Sequence, residues 1–110
     1  MLRRAYEYQK NDREYLADGA YYDSAEGIFT YGDRTAELTK SENKIMNALL
    51  EYRGKVVERE KLMQQLWNTD EFVTDASLTV LVSRLRSKLR DISGGKEIIG
   101  TKKGRGYYIL

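Results

Sequence analysis

Between Asp75 and Ile92 the chain runs without a glycine or proline, and apolar residues return at every third or fourth place. That spacing gathers side chains on one face of an α-helix. At about 100° per residue, Leu78, Leu81, Val82, Leu85 and Leu89 share an arc suited to a core. The opposite arc holds Ala76, Val80, Ser83, Arg84 and Ser87. Ser77 and Lys88 lie along one edge of it, and Thr79, Arg86 and Arg90 along the other. No acid stands between Ser77 and Arg90. A solvated helix usually mixes Glu and Lys at four-residue spacing. A run of cations without an acid repels itself, so a partner that supplies negative charge is the economical explanation.

The rest of the chain frames this helix. Ala17 to Leu38 reads as three or four short antiparallel strands. Ile28-Phe29-Thr30-Tyr31 is rich in aromatic and β-branched residues, and Asp23-Ser24-Ala25-Glu26-Gly27 and Gly32-Asp33 mark turns. Thr39 and Glu42 stand in the relation of a capping box. Ile45, Met46, Leu49 and Leu50 continue a first helix, which Gly54 suits as a left-handed end. Val56-Val57 leads into a second helix from about Glu58 to Trp67, although Glu58 is a poor N-cap. Asn68 to Thr74 is a loop, and the third helix begins near Asp75, capped by Thr74 or Asp75, and runs to about Ile92, where Ser93-Gly94-Gly95 ends it. Glu97-Ile98-Ile99 and Tyr107 to Leu110 then form a hairpin around Lys102-Lys103-Gly104-Arg105-Gly106. The expected class is α+β, in the order sheet, three helices, hairpin.

Charge is distributed unevenly. Residues 1–76 carry 11 Lys/Arg against 15 Asp/Glu, and residues 77–110 carry 8 against 2. A basic third of a small domain is the footprint expected for a polyanion. An acidic protein would meet the same face, and a merely solvated basic surface is the plain alternative. The 110 residues suit one domain. No apolar run approaches the roughly 20 residues of a spanning helix, and no basic-then-apolar leader is visible. Cysteine is absent, which fits a reducing cytoplasm. Histidine is absent too, and with it the commonest general base and metal ligand, so no metal or cofactor is expected. Asp70 with Glu71, and Glu58 with Glu60, are too close in sequence to face one substrate from two sides. The chain is not expected to be an enzyme.

A helix fits the major groove of B-DNA, and small residues let its backbone approach the base edges. Arg84 can then pair with guanine O6 and N7, Val80 can meet a thymine methyl, and Ser77, Ser83 and Ser87 can bond to bases or phosphates. Arg86 and Lys88 fall where phosphates would run. In the hairpin, Gly104 and Gly106 permit a tight turn and close approach to a ligand. Lys102, Lys103 and Arg105 suit a narrow minor groove, where the potential is most negative. A nucleotide-binding loop is a weaker alternative, because the Gly-Lys-Ser/Thr ending is missing. Glycines that merely close a turn are the plain one.

Leu38-Thr39-x-x-Glu42, Gly54-x-Val56-Val57-x-Arg59-Glu60-x-Leu62, Leu66-Trp67, Ser83-Arg84-Leu85-Arg86-x-Lys88-Leu89 and Thr101-x-x-Gly104-x-Gly106-Tyr107 together resemble the effector domains of OmpR/PhoB-type response regulators. The resemblance covers about Gly19 to Leu110. It implies a winged helix-turn-helix: a four-stranded antiparallel sheet, a three-helix bundle whose third helix reads DNA, and a hairpin wing. It also implies phosphate contacts from Arg59, Trp67, Ser77, Arg86, Thr101 and Tyr107, and a head-to-tail pair on direct repeats of double-stranded DNA. The loop with Asp70, Glu71 and Phe72 matches the segment offered to RNA polymerase, and an ordinary surface loop is the competing reading. Residues 17–110 would form the domain. Residues 1–16, with Leu2 to Tyr8, look like the end of a receiver domain's last helix and a linker. The receiver and its sensor kinase would then be partners of the full-length protein. Many members carry histidine at the place of Leu81, an acid at Thr79 and serine at Glu58, so base preference there does not carry over. The sequence as a whole looks most similar to Gram-positive regulators of envelope stress and antimicrobial-peptide resistance.

Overall fold

Alternation within the first strands decides which side of the sheet is wet. In the computed structural model, which describes residues 13–16, 19–67 and 73–110, strands β1 (Arg13–Tyr15), β2 (Ala20–Asp23), β3 (Ile28–Tyr31) and β4 (Arg34–Glu37) form an antiparallel meander in sequence order. Ala20, Tyr22 and Phe29 are fully buried on the inner face. On the outer face the rings of Tyr15 and Tyr21 lie 5.7 Å apart. Asp23 Oδ1 accepts from the N–H groups of Ala25 and Glu26 and closes the turn after β2. The sheet thus begins at Arg13, inside the stretch read as linker. β1 is short and polar, and only its register against β2, with Glu14 opposite Tyr22, shows it to be a strand. The segment that resembles a receiver helix, Leu2 to Tyr8, lies outside the described residues.

Helix α1 (Lys40–Glu51) carries the capping box that Thr39 and Glu42 predict. Glu42 N–H donates to Thr39 Oγ1 at 3.2 Å, and Thr39 N–H donates to Glu42 Oε1 at 2.9 Å. Tyr22 O–H donates to Asn43 Oδ1 and pins the sheet to this helix. Gly54 is not the cap. The helix closes at Tyr52, and Gly54 sits in the turn beyond. Val57–Glu58 then forms strand β5, and α2 runs from Arg59 to Trp67. Glu58 is therefore a strand residue, which accounts for its unsuitability as a cap. Helix α3 (Asp75–Ser93) starts on Thr74, whose Oγ1 accepts from Ser77 N–H, and ends on Gly94 in the left-handed region. Strands β6 (Ile99–Lys102) and β7 (Gly106–Ile109) complete the chain. The hairpin strand begins at Ile99, which pairs with Ile109, later than Glu97; Ile98 joins it only through its carbonyl, which accepts from Leu110 N–H at 2.9 Å.

Leu78, Val82, Leu85 and Leu89 of α3 are buried against Ile45, Met46 and Leu49 of α1 and Leu62 and Leu66 of α2. Burying each such side chain is worth about 1.5–3 kcal/mol, so the orientation of α3 is fixed by its leucines. Among the described residues no helix is long and apolar enough to cross a membrane.

One charged contact reinforces this packing. Lys88 Nζ of α3 lies 2.7 Å from Glu42 Oε1, the same oxygen that completes the capping box. The Glu42 side chain is 6% exposed. Burial works against its ionisation, but the bonds from Lys88 and Thr39 outweigh burial and hold its carboxyl below the usual range. A lowered folded-state value means stabilisation above the unfolded value, about 4.3, that is lost as pH falls through the folded one. Glu42→Gln keeps an acceptor for Thr39 but removes the charge. It is expected to lower stability by about 1.5–3 kcal/mol at pH 7, with the gap to wild type closing as pH drops through the carboxylate range. Urea melts at pH 7 and at the acid end check this, and a gap independent of pH would refute it.

Candidate nucleic-acid interface

With its leucines inward, α3 turns Ala76, Thr79, Val80, Ser83, Arg84 and Ser87 to solvent. Val80 is 47% exposed, unusual for valine on a helix with a buried side available. Ser77 is half-buried, and its hydroxyl lies 3.0 Å from Thr74 Oγ1. Arg84 stands near the middle of the exposed face and has no ion-pair or hydrogen-bond partner among the described residues. Its donors are all available, in the planar fork that suits a guanine edge.

The hairpin lies along one edge of that face. Arg86 Nη1 donates to Thr101 Oγ1 of β6 at 2.5 Å. Arg59 at the start of α2 reaches both the first turns of α3 and Tyr107 of β7. Helix face and wing are therefore neighbours. Lys102 and Lys103 are exposed without partners among the described residues, and Arg105 pairs loosely with Glu58 at 3.7 Å. The tip turns through Gly104 at φ +77°, a conformation that side-chain-bearing residues rarely take.

Residues 33–109 match the family described as "Transcriptional regulatory protein, C terminal". The chain belongs to this family. It is 43% identical to the Sensory transduction protein BceR of Bacillus subtilis over 81% of its own length and 38% of that protein. It is 37% identical to the Response regulator protein GraR of Staphylococcus aureus over 97% of its length and 48% of that protein. It therefore spans less than half the length of these relatives. Its fold superposes on the C-terminal domain of the nisin resistance regulator NsrR with a TM-score of 0.71 at 34% identity, covering 87% of this chain and 96% of that domain. The winged helix-turn-helix that the sequence resembles is thus the fold observed, and the chain is a DNA-binding output domain of the OmpR/PhoB type.

Within this family frame several side chains hold positions the sequence did not reveal. Lys88, expected at a phosphate, points the other way. Its ammonium is engaged by Glu42 and by the Glu37 carbonyl at 3.1 Å, so it belongs to the body of the domain. Arg86 and Arg90 share Glu97, at 3.7 Å and 3.2 Å. The acid that balances the ridge comes from beyond the helix, across the Gly94-Gly95 turn, and spacing along the helix could not show it. Arg86 Nε is buried with no hydrogen-bond partner among the described residues. The Trp67 ring is 46% exposed, but its N–H donates to the Val73 carbonyl at 3.1 Å. Tyr107 is buried, and its hydroxyl accepts from Arg59 at 2.8 Å. Thr101 remains exposed. Asp70, Glu71 and Phe72 lie outside the described residues.

The wing also has a third strand. β5 pairs with β7, with Glu58 opposite Gly106, giving the order β5-β7-β6. This changes the role of Gly106. A Cβ there would stand 2.0 Å from the Val57 carbonyl oxygen, so the close approach is to the domain's own backbone and not to a ligand. Gly106→Ala must push β7 off β5. It is expected to cost about 1–3 kcal/mol of stability, whereas Gly104→Ala, with open space around it, should cost less than Gly106→Ala. Thermal unfolding of the two variants ranks them, and equal losses would contradict this account.

Proposed function

We propose that this domain reads a direct-repeat promoter site in duplex DNA, with α3 in the major groove and the wing in the adjoining minor groove. The observation that carries the reading is Arg84: a guanidinium without a partner among the described residues, on a face of small side chains, Ser83, Ser87 and Val80. Arg84 reads guanine, Val80 meets a thymine methyl, and Ser77, Ser83 and Ser87 complete the base contacts. Arg86, Thr101 and Tyr107 line the phosphate path, with the exposed Trp67 ring at its margin. Lys102, Lys103 and Arg105 sense minor-groove potential. Arg59 and Lys88 are left out of the phosphate set, because their donors are largely engaged within the domain.

The names of BceR and GraR, and of NsrR as a nisin resistance regulator, support a wider reading. The chain acts in the cytoplasm as the output half of a two-component response regulator, downstream of a receiver domain and a sensor kinase, in resistance to peptide antibiotics. Two copies bind head-to-tail. RNA polymerase is a candidate partner for the segment with Asp70, Glu71 and Phe72.

Selection of bound sites from random duplexes, followed by competition with scrambled DNA, tests the reading. A preferred repeat is expected, and indifference to sequence would overturn it. Neutralising about five phosphates predicts a slope of log affinity against log salt near −4 to −5. Arg84→Ala is expected to cost about 1–3 kcal/mol for the selected site with an unchanged melting temperature. Lys103→Ala is expected to weaken all duplexes alike and to flatten the salt slope by about one. Unchanged affinity for the first, or a loss confined to one sequence for the second, would contradict these assignments.

A further inference from the structure

Arg59 sits where three elements meet. As the first residue of α2, its backbone N–H donates to the carbonyl of Arg105 at the tip of the wing, at 3.0 Å. Its side chain, 23% exposed, turns the other way and divides its donors between α3 and β7. Nε donates to Asp75 Oδ1 at 3.1 Å, Nη2 donates to the Asp75 carbonyl at 2.6 Å and to Thr79 Oγ1 at 2.8 Å, and Nη1 donates to Tyr107 O–H at 2.8 Å. The guanidinium also lies 5.8 Å from the centre of the Tyr107 ring. A guanidinium has five N–H donors, and four are engaged here. One hydrogen is left for any phosphate, and gaining a second would mean breaking a charge-assisted bond to make another of the same kind.

We propose that Arg59 is a positioning residue that locks the recognition helix and the wing at one relative angle, and so sets the spacing the domain tolerates between its major-groove and minor-groove contacts. The inference rests on the DNA reading above. Thr79 neighbours Val80 on the reading face, and Tyr107 lies at the root of the wing. From Tyr107 to Gly104 a strand extends about 10 Å. A swing of about 10° at the root therefore displaces the tip by about 2 Å, several times the roughly 0.5 Å tolerance of a preorganised site. Arg86 and Thr101 hold the wing to the middle of α3. Arg59 holds it to the N-terminal end, the part of a recognition helix that reaches base edges. Lysine keeps the charge but has no planar fork to span Asp75, Thr79 and Tyr107 together.

The test uses the 110-residue chain and its selected duplex, together with duplexes in which one base pair is inserted or removed between the major-groove and minor-groove halves of each site. For the wild-type chain the altered spacing is expected to cost about tenfold or more in affinity, the scale of one mismatched pair. Arg59→Lys should lose affinity for the selected duplex and shrink that spacing penalty to about threefold or less, with the salt slope unchanged. Thr79→Val removes one clamp bond without touching charge. It should shift the penalty the same way, and it serves as the readout if Arg59→Lys fails to fold. A phosphate ligand would behave otherwise: Arg59→Lys would bind nearly as wild type, Arg59→Ala would flatten the salt slope by about 0.9, and the spacing penalty would stay. That pattern overturns the proposal while leaving the DNA reading intact. A part that only stabilises the fold would lower the melting temperature and leave the penalty unmoved, which also overturns it. A wild-type chain with no preferred duplex would remove the DNA reading and the clamp together.

Discussion

Everything in this domain is arranged around the burial of one side of α3. Leu78, Val82, Leu85 and Leu89 leave water together, and no rotation of the helix satisfies three of them while exposing the fourth. Their combined burial far exceeds what any surface contact contributes. The exposed face to which base reading is proposed is a consequence of this. Arg84, Ser83, Ser87 and Val80 are outside because the leucines are inside. The N-terminal sheet, α1 and α2 serve chiefly to supply the apolar surface that α3 requires.

Electrostatics divide the cations of this region into two populations. Lys88 is drawn to Glu42, and Arg86 and Arg90 to Glu97. These pairs bind α3 to α1 and to the approach of the wing. Arg84, Lys102 and Lys103 have no such partner among the described residues. Glu42 shows how economical the first group is, since a single oxygen caps α1 and receives Lys88. Burial of Glu42 makes its pair with Lys88 count for more than the exposed pairs to Glu97, because less water screens it.

How far the sequence could be read follows from the range of each interaction. The capping box at Thr39, the cap at Thr74 and the two faces of α3 depend on residues three or four apart, and periodicity exposes them directly. The unequal charge of the two ends was equally plain. The fate of Lys88 was not, because its partner Glu42 lies far back in the sequence on another helix. On its own helix Lys88 looks like one more free cation. Glu97 was hidden by the Gly94-Gly95 turn. β5 is two residues long, and it acquires meaning only when Gly106 lets β7 approach the Val57 carbonyl. β1, short and polar, was invisible for the same reason: strand pairing is non-local, and three residues hold too little pattern to announce it.

Internal pairing also shapes what kind of DNA binder this can be. Every unpaired cation adds to the affinity for any duplex, because counterion release is blind to sequence. Discrimination depends on the ratio of specific to non-specific binding and not on affinity alone. Engaging Lys88 with Glu42 and Arg90 with Glu97 lowers the general attraction to a polyanion, while Arg84 has no partner among the described residues. A basic helix of four unpaired cations would hold DNA more tightly and read it less well. On the proposed reading, Glu42 and Glu97, neither of them on the exposed face of α3, would act on selectivity by setting how much of the domain's positive charge faces outward.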